Sequence, residues 1–231
     1  WADGLGIPLL AHRTGAEFLY WVGCAGSFDE EGKATARAFA SLLKTAGVDF
    51  AILGTEEKCC GDSARRLGNE YLYDTLAQAN IAAMQGYNVK KILTICPHCL
   101  NSLKNDYPAY GADFEVMHSS EFLLELVQQG RIKLKGGEKM TVCYHDSCFL
   151  GRYNNIYDQP RRLLSSIGNV QLVEMDRNRA RSFCCGAGGG RMWLEEDHGK
   201  RINEMRTDQA LEKNPNVIAT ACPYCLTMLD D

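Results

Sequence analysis

The segment "EFLYWVGC" (17–24) is an almost unbroken apolar run that ends in cysteine, the pattern of a strand carrying that cysteine at its C-terminal end. Apolar residues then recur at helical spacing through "KATARAFASLLKTAG" (33–47), with Gly47 as the stop signal. "VDFAILG" (48–54) predicts a second strand, followed directly by a Cys-Cys-Gly loop. A longer helical pattern covers 69–87, and "KKILTIC" (90–96) predicts a third strand that again ends in cysteine. The same sequence of elements returns later in the chain, with strands predicted at 140–148, 170–175 and 216–222. Strands alternating with helices predict parallel sheets of βαβ units, an α/β fold. Sites in such sheets form beyond the carboxyl ends of the strands, where the recurring cysteines fall.

The cysteines make the duplication explicit. Cys24, Cys59, Cys60, Cys96 and Cys99 are followed in the same order by Cys148, Cys184, Cys185, Cys222 and Cys225, at offsets of 124 (24 to 148), 125 (59 to 184) and 126 (96 to 222). Only Cys143 lies outside the repeat. Two homologous βαβ-type halves are therefore expected, 1–130 and 138–231, each carrying one Cys-Cys-Gly motif. The glycine- and charge-rich stretch "QQGRIKLKGGEK" (128–139) is the expected connection.

Composition narrows the chemistry. The 231 residues are 45% hydrophobic with a net charge of -4, so a basic nucleic-acid footprint is absent. No apolar run nears the roughly 18 residues of a membrane span; the nearest, "FLYWVGCAG" (18–26), is half that length. Membrane contact is thus expected only through other segments or partners, because a chain opening on Trp1 and closing within a predicted helix reads as a fragment of a longer polypeptide. Eleven cysteines, an odd number, without a secretory leader argue for a reducing, cytoplasmic setting and for metal rather than disulfides.

Adjacent cysteines such as Cys59-Cys60 and Cys184-Cys185 make strained disulfides and serve a single tetrahedral zinc poorly. Five soft thiolates at one rim favour a multi-iron sulfide cluster, with zinc in one half as the alternative. In "CCGAGGGR", Gly186, Gly188, Gly189 and Gly190 allow close backbone approach and N–H donation to sulfur; Gly61 holds the matching place in the first half. This loop fails both nucleotide fingerprints: no Lys-Ser/Thr follows, and Arg191 stands where GxGxxG needs its last glycine. Lys58, Arg65 and Arg66 in one half, with Arg152 and Arg191 in the other, are candidates to balance cluster charge. His98, inside "CPHC", is either a proton relay or loop filling. His145 and Asp146 either orient the second ligand loop or position a substrate, with a turn-capping role as the plain alternative for Asp146. Cys143 reads as a buried thiol; Trp193, Tyr153 and Tyr157 either cover the clusters or pack the core.

The motifs "YWVGCAGS" (20–27), "EEKCCGDSARRLGNE" (56–70), "HDSCFLGRYN" (145–154) and "CCGAGGGRMW" (184–193), with "CPHC" and "CPYC", resemble the cysteine-rich CCG domain. That domain occurs in heterodisulfide reductase subunits B and D, in glycolate and lactate oxidation iron–sulfur subunits, and in related anaerobic electron-transfer proteins. The wording is most similar to the members linked to electron-transferring flavoprotein and acyl-CoA metabolism. The resemblance implies two noncubane four-iron clusters, each held by the five cysteines of one half. It further implies electron transfer between a flavoprotein and a quinone or low-potential acceptor, alongside other redox subunits. Its alternative implication is a catalytic subunit that cleaves a disulfide between two clusters facing a shared cleft. A non-redox zinc module is the reading from outside the family.

Overall fold

The computed structural model describes residues 1–13, 15–194 and 199–230. By internal contacts the chain divides into two units, Trp1–Phe122 and Leu123–Asp231.

The first unit is built on a four-stranded sheet of β1 (Phe18–Trp21), β2 (Phe50–Ala51), β3 (Lys91–Thr94) and β4 (Glu115–His118). The order is β2-β1-β3-β4, and every pair is parallel, with Leu19 against Ile92 and Ile92 against Val116. Parallel pairing requires crossovers, supplied here by helices: α1 (Gly23–Phe28), α2 (Glu30–Thr45), α3 (Asp62–Arg66), α4 (Glu70–Gly86) and α5 (Pro97–Asn101). The Asp29 carboxylate accepts from the Gly32 amide and caps α2, which buries Ala36, Phe39, Ala40 and Leu43 against the sheet side. Asn69 caps α4 in the same way, and Tyr73, Ala77, Asn80, Ile81 and Met84 form its inward stripe. One polar residue, Asn80, thus sits in an otherwise apolar row.

The second unit repeats the plan. β5 (Met140–His145), β6 (Val170–Val173) and β7 (Val217–Thr220) pair in parallel in the order β6-β5-β7, matching β2-β1-β3. Its helices are α6 (Ser119–Gln128), which crosses the division between units, α7 (Asp158–Ser165), α8 (Ile202–Leu211) and α9 (Pro223–Asp230). Residues 129–139 carry no regular element. The α/β class and the two parallel halves are therefore as expected.

Element ends differ from the sequence expectation in one consistent way. No strand reaches its cysteine: β1 stops three residues before Cys24, β3 two before Cys96, β5 three before Cys148 and β7 two before Cys222. Cys24 instead lies in the first turn of α1, and Cys96 directly precedes α5. The cause is local: Pro97 and Pro223 occupy first helical positions, where a missing N–H costs nothing, so the chain leaves the ladder early. The β2 region is shorter still, two paired residues plus a bridge from Leu9 to Ile52. β4, where the sequence reading assigned no strand, extends the first sheet at its edge.

Candidate metal centre

In the first unit three loops at the carboxyl end of the sheet bring five sulfurs into one connected row. The Cys24 thiol bonds Cys59, Cys59 bonds Cys60, and the Cys99 sulfur lies 3.5 Å from Cys60 and also bonds Cys96. Packed thiols cannot all ionise together. Donation from Cys59 and Cys99 draws Cys60 down to about 5, while the same bonds and burial push Cys99 well above the ordinary thiol range. The Cys59-Cys60 pair is held from behind by Asn80: its Nδ2 donates to the Cys59 carbonyl at 2.9 Å and its Oδ1 accepts from the Lys58 amide at 3.0 Å. Gly61 then donates its amide to the Cys59 sulfur at 3.4 Å. Its φ is +85°, and a Cβ there would lie 2.7 Å from the Tyr73 ring, so both backbone and space demand glycine. Glu57 accepts from the Val22 and Gly23 amides at 3.2 and 2.6 Å, tying the loop to the start of α1; burial lifts its carboxyl to about 7 despite these donors.

The second unit builds the same row in the same order. Cys148 bonds Cys184, Cys184 bonds Cys185, Cys185 bonds Cys225, and Cys225 bonds Cys222. Donation from Cys148 and Cys185 brings Cys184 down to about 2, and Cys148 and Cys225 rise correspondingly. The Gly186 amide donates to Cys184 at 3.3 Å with φ of +96°. His145, ending β5, is 1% exposed, and one ring nitrogen lies within 4.8 Å of the Cys185 and Cys225 sulfurs. Its Nδ1 accepts from Arg206 Nε at 3.0 Å, so the ring proton sits on Nε2. Burial, then the Arg206 charge, lower its pKa to about 4 and keep the ring neutral.

Whether these nests suit a polynuclear sulfide cluster is tested by what they leave unsatisfied. Among the described residues, the indole N–H of the fully buried Trp21 has no hydrogen-bond partner. A Cβ on Gly23 would lie 3.0 Å from the Cys99 sulfur and 4.0 Å from this Nε1, so the orphaned donor borders the thiols. In the second unit Ser147 Oγ, next to Cys148, is likewise buried without a partner. Buried donors are rarely left unpaired, and sulfide and thiolate sulfur accept such bonds. Five thiols in each row with a stray donor beside the first fit an iron–sulfide group better than a four-ligand zinc ion.

The remaining candidates fall elsewhere. Arg152 donates to the Ser182 carbonyl at 2.6 Å, fixing the backbone that leads into Cys184, and lines the same cavity as Cys184. A Cβ at Gly188 or Gly189 would meet nothing within 4 Å, and Gly189 has φ of +68°. Gly190 is buried with φ of +77°. Arg65 and Arg66 are drawn into ion pairs with Asp106, Glu70 and Asp62, and Lys58 Nζ reaches the Thr55 carbonyl. His98 is buried and its Nδ1 lies 2.7 Å from Asp62, joining the "CPHC" loop to the Cys-Cys-Gly loop. Asp146 is clasped by Arg161 through two bonds of 2.7 and 2.8 Å, and Arg161 also binds Glu174. Cys143 is a core thiol packed on Met175 and Ala210. Trp193 and Tyr153 are mostly exposed, set against Tyr224 and Phe149 respectively, and the Tyr157 ring packs on Gly151. Sequence reasoning missed Trp21, Glu57, Asn80 and Arg206. The repeat offset held the signal, since Trp21 matches His145 and Asn80 matches Arg206, each at a fixed distance from a cysteine.

A parallel α/β unit with a five-thiol rim, present twice in one chain, defines a duplicated cysteine-rich module. The chain belongs to the CCG cysteine-rich domain family, whose pattern matches residues 18–104 and 142–230. It is 54% identical over 93% of its length to "Probable iron-sulfur-binding oxidoreductase FadF" of Bacillus subtilis, covering 30% of that protein. It is 51% identical over its whole length to the EtfAB:quinone oxidoreductase of Syntrophomonas wolfei, covering 34% of it. A component of the dihydromethanophenazine:CoB–CoM heterodisulfide reductase of Methanosarcina barkeri is 38% identical over 94% of this chain and 54% of its own length. The chain thus spans about a third of the length of the first two of these relatives.

Proposed function

We propose that this chain is the cluster-bearing part of an iron–sulfur oxidoreductase that carries electrons between a flavoprotein and a quinone or low-potential acceptor. The observation that carries the reading is the sulfur row, repeated link for link in both units, with the unpaired Trp21 indole N–H beside the first. Cys24, Cys59, Cys60, Cys96 and Cys99 would hold one noncubane four-iron cluster, and Cys148, Cys184, Cys185, Cys222 and Cys225 the other. Bound clusters of this kind supply one-electron oxidation and reduction.

The chain's own residues provide the setting. Gly61 and Gly186 donate amides to the first cysteine of each pair; Trp21 and His145 offer neutral N–H groups to sulfur; Asn80 and Arg152 hold the loops in place. A cavity of about 740 Å³ reaches Cys24 and Cys59, and one of about 580 Å³ reaches Cys184, so each rim is approachable from outside. No described helix is long and apolar enough to cross a membrane; in this reading other regions or subunits make any contact with a quinone pool. The relatives named for EtfAB:quinone oxidoreduction and heterodisulfide reduction support redox partner subunits.

The test is anaerobic mixing of the iron-loaded protein with a reduced electron-transferring flavoprotein, following visible absorption. Flavoprotein-driven bleaching without turnover of organic disulfides by reduced viologen is the expected result. Disulfide turnover would move the assignment to a catalytic reductase, and zinc without labile sulfide would end the redox reading.

A further inference from the structure

The two nests are alike in sulfur and unlike in charge. At four equivalent positions the first unit carries Trp21, Glu57, Asp62 and Asn80, and the second His145, Ser182, Ala187 and Arg206. Trp21 and His145 both present a neutral N–H, so that pair changes little. The other three change in one direction, two carboxyl side chains becoming a hydroxyl and a methyl and an amide becoming a guanidinium; Val22 and Lys58 change the other way, to Asp146, which is paired with Arg161, and Phe183.

Arg206 is 0% exposed. Its recorded acceptors are His145 Nδ1 at 3.0 Å, the Arg177 carbonyl at 3.0 Å, Gln209 Oε1 at 2.9 Å and Ser182 Oγ at 3.2 Å, every one of them neutral. The nearby carboxylate of Asp146 is already clasped by Arg161. Arginine keeps its charge even when buried, and a buried charge without a counterion is strongly unfavourable. Arg161 is shared between Asp146 and Glu174, so Arg206 feels the Asp146 charge and, through His145, also abuts the Cys185 and Cys225 sulfurs. The exposed rim repeats the bias: Arg152, Arg177 and Arg181 line the cavity at Cys184, whereas Asp3, Glu57 and Lys58 share the one at Cys24 and Cys59.

We infer that Arg206 is the built-in countercharge of the second sulfur nest and makes that centre the higher in reduction potential of the two. The inference rests on the proposed pair of clusters and adds an order to them. Adding an electron makes a cluster more negative, and a fixed buried cation stabilises the reduced form more than the oxidised form. In the first nest the matching side chain, Asn80, carries no charge, and Asp62 is already paired with Arg66 and His98, which leaves Glu57 to act in the opposite sense.

The experiment is a dithionite titration of the full chain with redox mediators, read by electron paramagnetic resonance. Signals are assigned with Cys59→Ala/Cys60→Ala and Cys184→Ala/Cys185→Ala proteins. The second centre is expected to be reduced first, by at least about tenfold in the equilibrium constant, which is about 59 mV for one electron. Arg206→Gln should lower the second centre's midpoint and leave the first unmoved, and Arg206→Lys should restore it. Equal midpoints, or a first centre reduced before the second, would overturn the inference even if Arg206→Gln lost its iron. An unmoved second midpoint in iron-replete Arg206→Gln would overturn it too. Protein without labile sulfide, by contrast, would remove the clusters themselves, a distinct failure of the underlying reading.

Discussion

Gly61→Ala and Gly68→Ala form a matched pair that isolates the tightness of the first cysteine loop. The two glycines have nearly the same backbone, φ of +85° and +84°. A Cβ at Gly68 meets nothing within 4 Å, whereas at Gly61 it lies 2.7 Å from Tyr73 Cδ2 and 3.5 Å from Tyr73 Cα. Both variants carry the left-handed cost of about 1–2 kcal/mol. Gly61→Ala adds an overpacking cost of about 1–3 kcal/mol, because Tyr73 is fully buried and has no space to retreat into. The expected difference between the variants is that second cost alone. Urea unfolding in a Trp193→Phe background reads the first unit through Trp1 and the buried Trp21. With a slope of about 1–3 kcal/mol per molar, Gly61→Ala should unfold at a midpoint lower than Gly68→Ala by roughly 1 M. Coincident midpoints would show that the loop yields freely and that the packing behind Cys59-Cys60 does not hold it.

Asn80→Ala strips partners from the Lys58 amide, the Cys59 carbonyl and the Tyr107 hydroxyl, and should cost about 2–4 kcal/mol. Iron bound by the first unit should fall while the second keeps its own, as counted in a Cys184→Ala/Cys185→Ala background and its converse. Asp146→Ala leaves the buried Arg161 with Glu174 and the Tyr157 carbonyl and should cost about 1–3 kcal/mol in thermal or urea unfolding. Adding Arg161→Met should recover part of that loss, and a strictly additive double variant would contradict the pairing. Cys143→Ala, in the core away from the sulfur row, should lower stability modestly and leave iron and sulfide content unchanged.

The sulfur rims were legible because a five-cysteine order repeated at near-constant offset constrains where each loop must arrive, whatever the exact ends of its strands. The ends themselves were not legible. Apolar continuity in "EFLYWVGC" and "KKILTIC" extends the strand pattern to the cysteines, but Pro97 and a glycine with positive φ at position 23 turn the chain into helices first. β4 escaped notice because Glu115–His118 is a short edge strand without strict alternation. The supporting residues were hidden for another reason. Asn80 and Arg206 lie mid-helix, where a lone polar residue reads as a surface position until the fold turns it toward the cysteine loop. His98 and Asp62 are far apart in sequence, and only the convergence of two loops makes them partners.

The central claim, that each rim gathers five thiolates around iron and sulfide, is met most directly by counting metal. Anaerobically prepared protein should contain about eight iron atoms and matching acid-labile sulfide per chain, as two four-iron clusters, and Cys59→Ala/Cys60→Ala should leave about half. A colourless protein holding zinc and no labile sulfide, or one whose iron is untouched by that double substitution, would contradict it.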